Sequence, residues 1–310
     1  MSGPSRREVI AGGIALGASS LMSSTLQPTP TSKRALRIAH LTDIHVQPEK
    51  KGEEGMAETL RQVNGMKDRP DLILTGGDQI MNAFGAEADR VKTQWDLYQK
   101  VMKAENSLPI EHCIGNHDVW SFAKREGADA AKEGKKWAMD VLGLATPYRS
   151  FERKGWKIIV LDSTFPHEGG YKGRLDEEQF EWLKEELAQT PLKTPILVMS
   201  HIPIICFCAV FDGDNEESGD WKVPGAWMHI DARRIKDLFG KHRNVKAAIS
   251  GHIHLVDRVD YNGVSYFCNG AVCGGWWGGS YQECSPGYAA VDLFQDGSVR
   301  CQYIETGWKA

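Results

Sequence analysis

Seven side chains with oxygen or imidazole donors fall in five short motifs: Asp43 and His45 in TDIH, Asp78 in GGDQ, Asn116 in GNHD, His201 in SHIP, and His252 with His254 in GHIH. A donor set of carboxylate, amide and imidazole, with no cysteine, suits Mn²⁺, iron or Zn²⁺ better than a soft metal. In an extended segment residues two apart project to the same side, so D-x-H and H-x-H each present two ligands together. Seven donors exceed what one ion uses, and the pattern predicts two divalent or mixed-valence ions (Mn, Fe or Zn). The chain has 10 histidines, and those at 45, 117, 201, 252 and 254 lie in these motifs. His40, His112, His167, His229 and His242 lie outside them and read as structural.

Each motif needs an element to aim it. From residue 35 short apolar runs alternate with helical patterns, as a layered α/β domain requires. ALRIAHLT leads to Asp43, DLILTGG to Asp78, IEHCIG to Asn116, KIIVLD to Asp162, PILVMS to His201 and AAISG to His252. Between them, apolar stripes at helical spacing (Met56, Leu60, Val63; Val91, Trp95, Tyr98, Met102; Phe180, Leu183, Leu187) predict helices, the last capped by Asp176. Residues 121–142 read as a polar helical insertion, and Ile235, Leu238 and Phe239 as a short helix. After His254 the pattern turns to strands alone (GVSYFCNG, GYAAVDLF, SVRCQYIE), the last two joined by the turn QDG.

The bulk numbers narrow the function classes. With 310 residues, 41% of them hydrophobic, the chain can bury a large core. Its net charge of −4 and the lack of any Lys/Arg block argue against a bulk nucleic-acid partner. At the N-terminus, Arg6 and Arg7 precede an uncharged Gly- and Ala-rich run, Val9 to Met22, too short to span a bilayer. That arrangement resembles a twin-arginine signal, and it predicts export to the periplasm by the twin-arginine machinery. Residues 1–33 then form signal and linker, and residues 35–310 one domain. The 7 cysteines make no CxxC pair. Cys268 with Cys273 or Cys284 is the obvious candidate disulfide in sequence terms, and Cys113 reads as a small buried hydrophobe.

DIH, GGDQ, GNHD, SH and GHIH, in this order, resemble the calcineurin-like metallophosphoesterases, and the resemblance covers nearly all of the chain after residue 35. It implies a four-layered α/β/β/α sandwich with a two-metal site at the carboxyl ends of its strands. Asp43, His45, Asp78 and His254 would hold one ion, and Asp78, Asn116, His201 and His252 the other, with Asp78 bridging. A hydroxide between the ions would attack phosphorus. His117 would be the general acid, with Asp118 orienting its ring. Two divalent ions, two carboxylates and a hydroxide sum to about +1, so a neutral amide at Asn116 preserves the field that a phosphate needs. In the purple acid phosphatase branch a tyrosine stands three residues after the bridging aspartate. Here that residue is Met81, which disfavours an iron–phenolate centre.

The substrate is less legible. Trp276 and Trp277 in GGWWGG could stack on a base or sugar, or close a core edge. GAV-x-G-x-WW resembles exported relatives of the cyclic nucleotide phosphodiesterase branch, which implies a small phosphodiester. A phosphomonoester or pyrophosphate substrate, or a binding protein that kept the fold without turnover, are the alternatives. The segment from Cys206 to His229 is expected to cover the site near His201.

Overall fold

Along the first strand, β1 (Arg34–Leu41), Leu36 and Ile38 enter one buried cluster while Ala39 and Leu41 enter another. That period-2 alternation of apolar side chains on both faces marks a strand covered on two sides. The computed structural model describes residues 32–122, 129–211, 217 and 219–309. The twin-arginine signal expected before residue 32 lies outside them. No helix among the described residues is long and apolar enough to cross a membrane.

The chain continues through α1 (Gly52–Gly65), β2 (Leu72–Thr75), α2 (Ala88–Glu105), β3 (Ile110–His112), α3 (Lys136–Leu142), β4 (Arg149–Arg153), β5 (Trp156–Val160), β6 (Thr164–His167) and β7 (Gly170–Gly173). It ends with α4 (Glu177–Gln189), β8 (Ile196–Met199), α5 (Ala232–Phe239), β9 (Val245–Ser250), β10 (Asp257–Tyr261), β11 (Val264–Cys268), β12 (Gly287–Phe294) and β13 (Val299–Glu305). One sheet has the order β13-β12-β1-β2-β3, the other β10-β11-β9-β8-β5-β4, and β6 pairs with β7 alone.

Three apolar clusters make the layers. Leu36, Ile38, Leu72 and Leu74 of the first sheet meet Ile158, Val160, Leu197 and Ile249 of the second, forming the core between the sheets. Met56, Leu60 and Val63 of α1 and Val91, Trp95 and Tyr98 of α2 cover the outer face of the first sheet. Phe180, Leu183 and Leu187 of α4, with Ile235 and Phe239 of α5, cover the second. The result is the expected α/β/β/α sandwich. Asp176 caps α4 by accepting the Gln179 N–H at 2.7 Å. The QDG turn closes through the Phe294 N–H to the Ser298 carbonyl at 3.0 Å, with Gly297 at φ 84°.

Some elements differ from the sequence expectation. Of residues 121–142, only Lys136–Leu142 form a helix among the described residues. Gly134, at φ 65°, instead exchanges two backbone hydrogen bonds with Trp120. β4, β6, β7 and β10 escaped notice because each is short, half-exposed and polar, so no apolar run marks it.

Candidate metal centre

β1, β2 and β3 run parallel, as do β5, β8, β9 and β11. Five of these strands end within four residues of a motif: β1 before Asp43, β2 before Asp78, β3 before Asn116, β8 before His201 and β9 before His252. Parallel strands ending together gather their loops into one crevice, where open α/β sheets place ligands. The sixth predicted strand end, Asp162, is elsewhere and pairs with Lys135.

The loops turn sharply. Asp43, His45, Asp78, His252 and His254 all have positive φ, between 46° and 73°. Left-handed backbone at a non-glycine residue costs on the order of 1–2 kcal/mol, and such strain persists where the surrounding structure imposes it. Glycines permit the crowding: a Cβ on Gly115 would lie 2.1 Å from Asp78 Oδ1, and one on Gly251 would lie 2.2 Å from Asp43 Oδ2.

The seven donors converge as two groups sharing Asp78. His45 Nε2 and His254 Nε2 stand 3.3 Å apart, and Asp43 Oδ1 is 3.4 Å from His254 Nε2. On the other side His201 Nε2 lies 3.0 Å from Asn116 Oδ1 and 3.2 Å from His252 Nδ1. Asp78 Oδ2 joins them, 3.6 Å from His45 Nε2 and 3.3 Å from His201 Nε2.

The far nitrogens identify what the near ones await. His201 Nδ1 meets the Gly76 carbonyl at 2.8 Å, His254 Nδ1 the Gly274 carbonyl at 2.7 Å, and His252 Nε2 the Ala226 carbonyl at 2.9 Å. Each ring must donate there, which turns a lone pair inward at its neighbours. Lone pairs facing one another across 3.3 Å repel unless a cation stands between them. Asp43 Oδ1 is buried there without a hydrogen-bond partner. The residues therefore fit a pair of metal ions.

Electrostatics agree. Burial opposes ionisation of Asp78, but the facing His201, His117 and His45 rings outweigh it and hold the carboxyl well below the usual range. Burial, then the neighbouring imidazoles, pushes His45 and His252 down to about 3. His201 is lowered by burial too, yet Asp78 outweighs that and raises it to about 9. These carboxylates draw positive charge into the site.

His117 lies beside the cluster, its ring edge-on to His45 at 4.7 Å between centroids. Its backbone N–H donates to Asp78 Oδ1 at 2.7 Å, and its Nδ1 meets the Met81 carbonyl at 2.8 Å. The Met81 carbonyl thus orients the ring, and Asp118 does not. Asp118 instead accepts the backbone N–H groups of Gly115, Asp78 and Gln79 at 2.8–2.9 Å, with Ile80 at 3.4 Å. The short 3₁₀ turn Asn116–Asp118 points successive side chains in different directions, so adjacency in sequence gives no contact here. Asp118 is a buried clamp that joins the GGDQ and GNHD loops.

A cavity of about 240 Å³ opens on the cluster, walled by Tyr171, Trp227, Trp276 and Tyr281. The paired tryptophans divide. Trp276 lies at the wall, 4.7 Å from the His254 ring, whereas Trp277 is fully buried and donates its indole N–H to the His45 carbonyl at 3.0 Å. Residues 206–211 and 219–229 of the expected cover include Trp227 and the Ala226 carbonyl, both at the site. The structural reading of His40, His112 and His229 agrees with their partners Asn269, Thr75 and Asp231.

Sequence reading missed Tyr171, Tyr281 and the four carbonyls, since neither lone tyrosines nor backbone atoms carry a motif. It missed Cys273 too, whose sulfur lies within 4.8 Å of ligand atoms of His45 and His254. No cysteine is in a disulfide, so neither Cys268–Cys273 nor Cys268–Cys284 is bonded. Cys268 points instead to Gly251, donating to its carbonyl at 3.3 Å. Cys113 is fully buried, as expected.

Two sheets between helical layers, with buried carboxylates and imidazoles gathered at parallel strand ends, define a metal-dependent phosphoesterase. The chain belongs to the calcineurin-like phosphoesterase family, whose pattern matches residues 36–256, and it is a hydrolase. It is 28% identical over 203 residues to the Arcobacter nitrofigilis protein named "Probable glycerophosphodiester phosphodiesterase GpdQ", covering 66% of this chain and 63% of that one. It is 24% identical over 298 residues to the 3',5'-cyclic adenosine monophosphate phosphodiesterase CpdA of Escherichia coli K12, covering 90% and 92%. In fold it is similar to a dimetal phosphatase from Danio rerio, with TM-score 0.64 and 12% identity over 88% of this chain and 97% of that one.

Proposed function

We propose that this chain is a two-metal phosphodiesterase acting on a nucleotide or another small diester. The observation that carries the reading is the lining of the cavity: among the described residues it holds four aromatic walls and no lysine or arginine. A site with a net charge of about +1 and no further cation suits the single charge of a diester better than the double charge of a monoester. The flat walls suit a base or sugar face beside the phosphate. Relatives named as phosphodiesterases support the same class.

Asp43, His45, Asp78 and His254 would hold one ion, and Asp78, Asn116, His201 and His252 the other. Bound there, the ions lower the pKa of water and stabilise charge on the phosphoryl oxygens. Asp78 shares its Oδ2 between the two groups while the His117 N–H holds Oδ1, which fixes the carboxylate plane. Asn116 contributes an oxygen without a charge. His117, anchored through Nδ1 to the Met81 carbonyl, presents Nε2 as the proton donor to the departing oxygen.

Turnover of matched aryl diesters and monoesters with the same leaving group, in protein loaded with Mn²⁺, Zn²⁺ or iron, tests the proposal. A diester kcat/KM at least about tenfold higher is expected, roughly the 1.4 kcal/mol of one mismatched charge at a screened site. The reverse preference assigns a monoesterase or pyrophosphohydrolase, and no hydrolysis at all assigns a binding protein.

The Arg6–Arg7 pair supports a second proposal, export to the periplasm by the twin-arginine machinery. Replacing both arginines by lysine should leave the protein in the cytoplasmic fraction. Unchanged fractionation would remove the idea.

A further inference from the structure

Three thiols outside the metal centre stand together. Cys206, Cys208 and Cys268 are brought together by Asp257, which pairs in register with Cys268 across β10 and β11 and accepts the Phe207 and Cys208 N–H groups on its Oδ2. They are buried in an apolar cluster with Ile253 and Leu255 of the GHIH loop. Cys206 and Cys208 flank Phe207 in the segment after His201, whose later residues Ala226 and Trp227 reach the site. Cys268 ends β11, and its thiol donates to the carbonyl of Gly251, the residue before His252. The Cys208 N–H donates to Asp257 Oδ2 at 2.9 Å, so the turn that carries the two thiols is tied to β10.

The three are chemically unequal. Contact with its two neighbouring thiols favours the thiolate form of Cys206. The same contacts and burial push Cys208 and Cys268 upward. A thiol that ionises more readily beside two that hold their protons is the arrangement disulfide exchange needs.

We propose that Cys206 and Cys268 are a redox modification site, forming a reversible disulfide that fastens the segment after His201 to β11 beside the metal loop. The oxidant is a small disulfide such as oxidised glutathione. The Cys206 thiolate attacks one of its sulfurs, forming a mixed disulfide and releasing one thiolate. Cys268 passes its proton to that thiolate and attacks the Cys206 sulfur, releasing the second thiolate, which takes a proton from solvent. Two protein thiols are oxidised and one external disulfide becomes two thiols. A Cys206–Cys208 bond would join near neighbours and constrain nothing beyond one turn, whereas Cys206–Cys268 closes a long loop of chain.

The experiment equilibrates the metal-loaded full chain in glutathione buffers of graded oxidised-to-reduced ratio, then maps thiols by alkylation, proteolysis and mass spectrometry. A peptide pair linked through Cys206 and Cys268 is expected, with Tm raised by roughly 5–10 °C in the oxidised form and restored by dithiothreitol. Cys206→Ser and Cys268→Ser should each abolish the linked pair and the shift, while Cys301→Ser keeps both. Mapping the wild-type chain decides the matter even if a variant misfolds. Absence of the pair at every ratio, or a Cys206–Cys208 link in its place, overturns the proposal. Both readouts are independent of turnover, so this test and that of the phosphodiesterase activity fail separately.

Discussion

His45 and His254 turn their Nε2 atoms toward each other across 3.3 Å, from strand ends more than two hundred residues apart in the chain. The His254 ring already donates through Nδ1 to the Gly274 carbonyl. The stable occupant of the space between them is a cation, and removing it should expose mutual repulsion among seven donors, six of them buried. Chelation should therefore lower Tm by several degrees and Mn²⁺ or Zn²⁺ should restore it, through binding linkage of about 2.7 kcal/mol at a hundredfold excess over Kd. Asp78→Asn, which weakens both groups at once, should reduce the metal content from two ions by elemental analysis, and retention of two would contradict the shared carboxylate.

His117 stands with His45 and Asp78, their ligand atoms within 4.8 Å of one another, but lies outside both proposed ligand sets, so its loss should separate binding from chemistry. His117→Ala is expected to keep both metals while kcat falls about 10²- to 10⁴-fold on esters with poor leaving groups and far less on activated aryl esters. Equal losses on both would remove the proton-donor role.

Asp118 should behave as a structural carboxylate. Burial, then the charge of Asp78, pushes it up to about 8, against the backbone N–H groups that favour its charge. Asp118→Ala strips those donors of their acceptor, and each orphaned buried group costs about 1–3 kcal/mol. A fall of at least about 3 kcal/mol in unfolding free energy, visible in metal-free protein by denaturant titration, is expected. A variant of normal stability with impaired turnover would instead revive a role at the His117 ring.

The two adjacent tryptophans should separate cleanly. Trp277 fills the space against Gly55, where a Cβ would lie 2.2 Å from its ring, so Trp277→Ala should cost about 3–5 kcal/mol of stability. Trp276→Ala should leave Tm within a few degrees and raise KM for diesters roughly tenfold, about 1.4 kcal/mol of lost stacking. The opposite assignment in thermal melts and steady-state kinetics would exchange their roles.

His112 supplies a pH dependence away from the metals. Its ring is half-buried against Thr75, and burial, then the Arg149 charge, lowers it to about 4. The unfolded chain takes up this proton near 6.5, so the contribution is present above that pH and is lost as pH falls toward 4. With solvent screening at its exposed edge the loss amounts to roughly 1–2 kcal/mol. His112→Asn should flatten the stability profile between pH 6.5 and 4 by that amount, and an unchanged slope would exclude the ring.

The donors, their grouping in D-x-H and H-x-H pairs, and the strands that deliver them were legible in the sequence because both signals are local. Short apolar runs mark β1, β2, β8 and β9, and a donor follows each of them, while the run that ends at Asp162 delivers none to the site. Asp176 at the start of α4 and the QDG turn were legible for the same reason. Tertiary structure alone decided that Asp118 grips the 78–80 backbone rather than His117, that Trp277 is an anchor while Trp276 is a wall, and that Cys268 meets Cys206 and Cys208. Each of those outcomes depends on which loops and elements lie against one another in the folded chain. Adjacent residues share a position in the chain, but turns and close packing send their side chains to different neighbours, and no spacing rule encodes that choice.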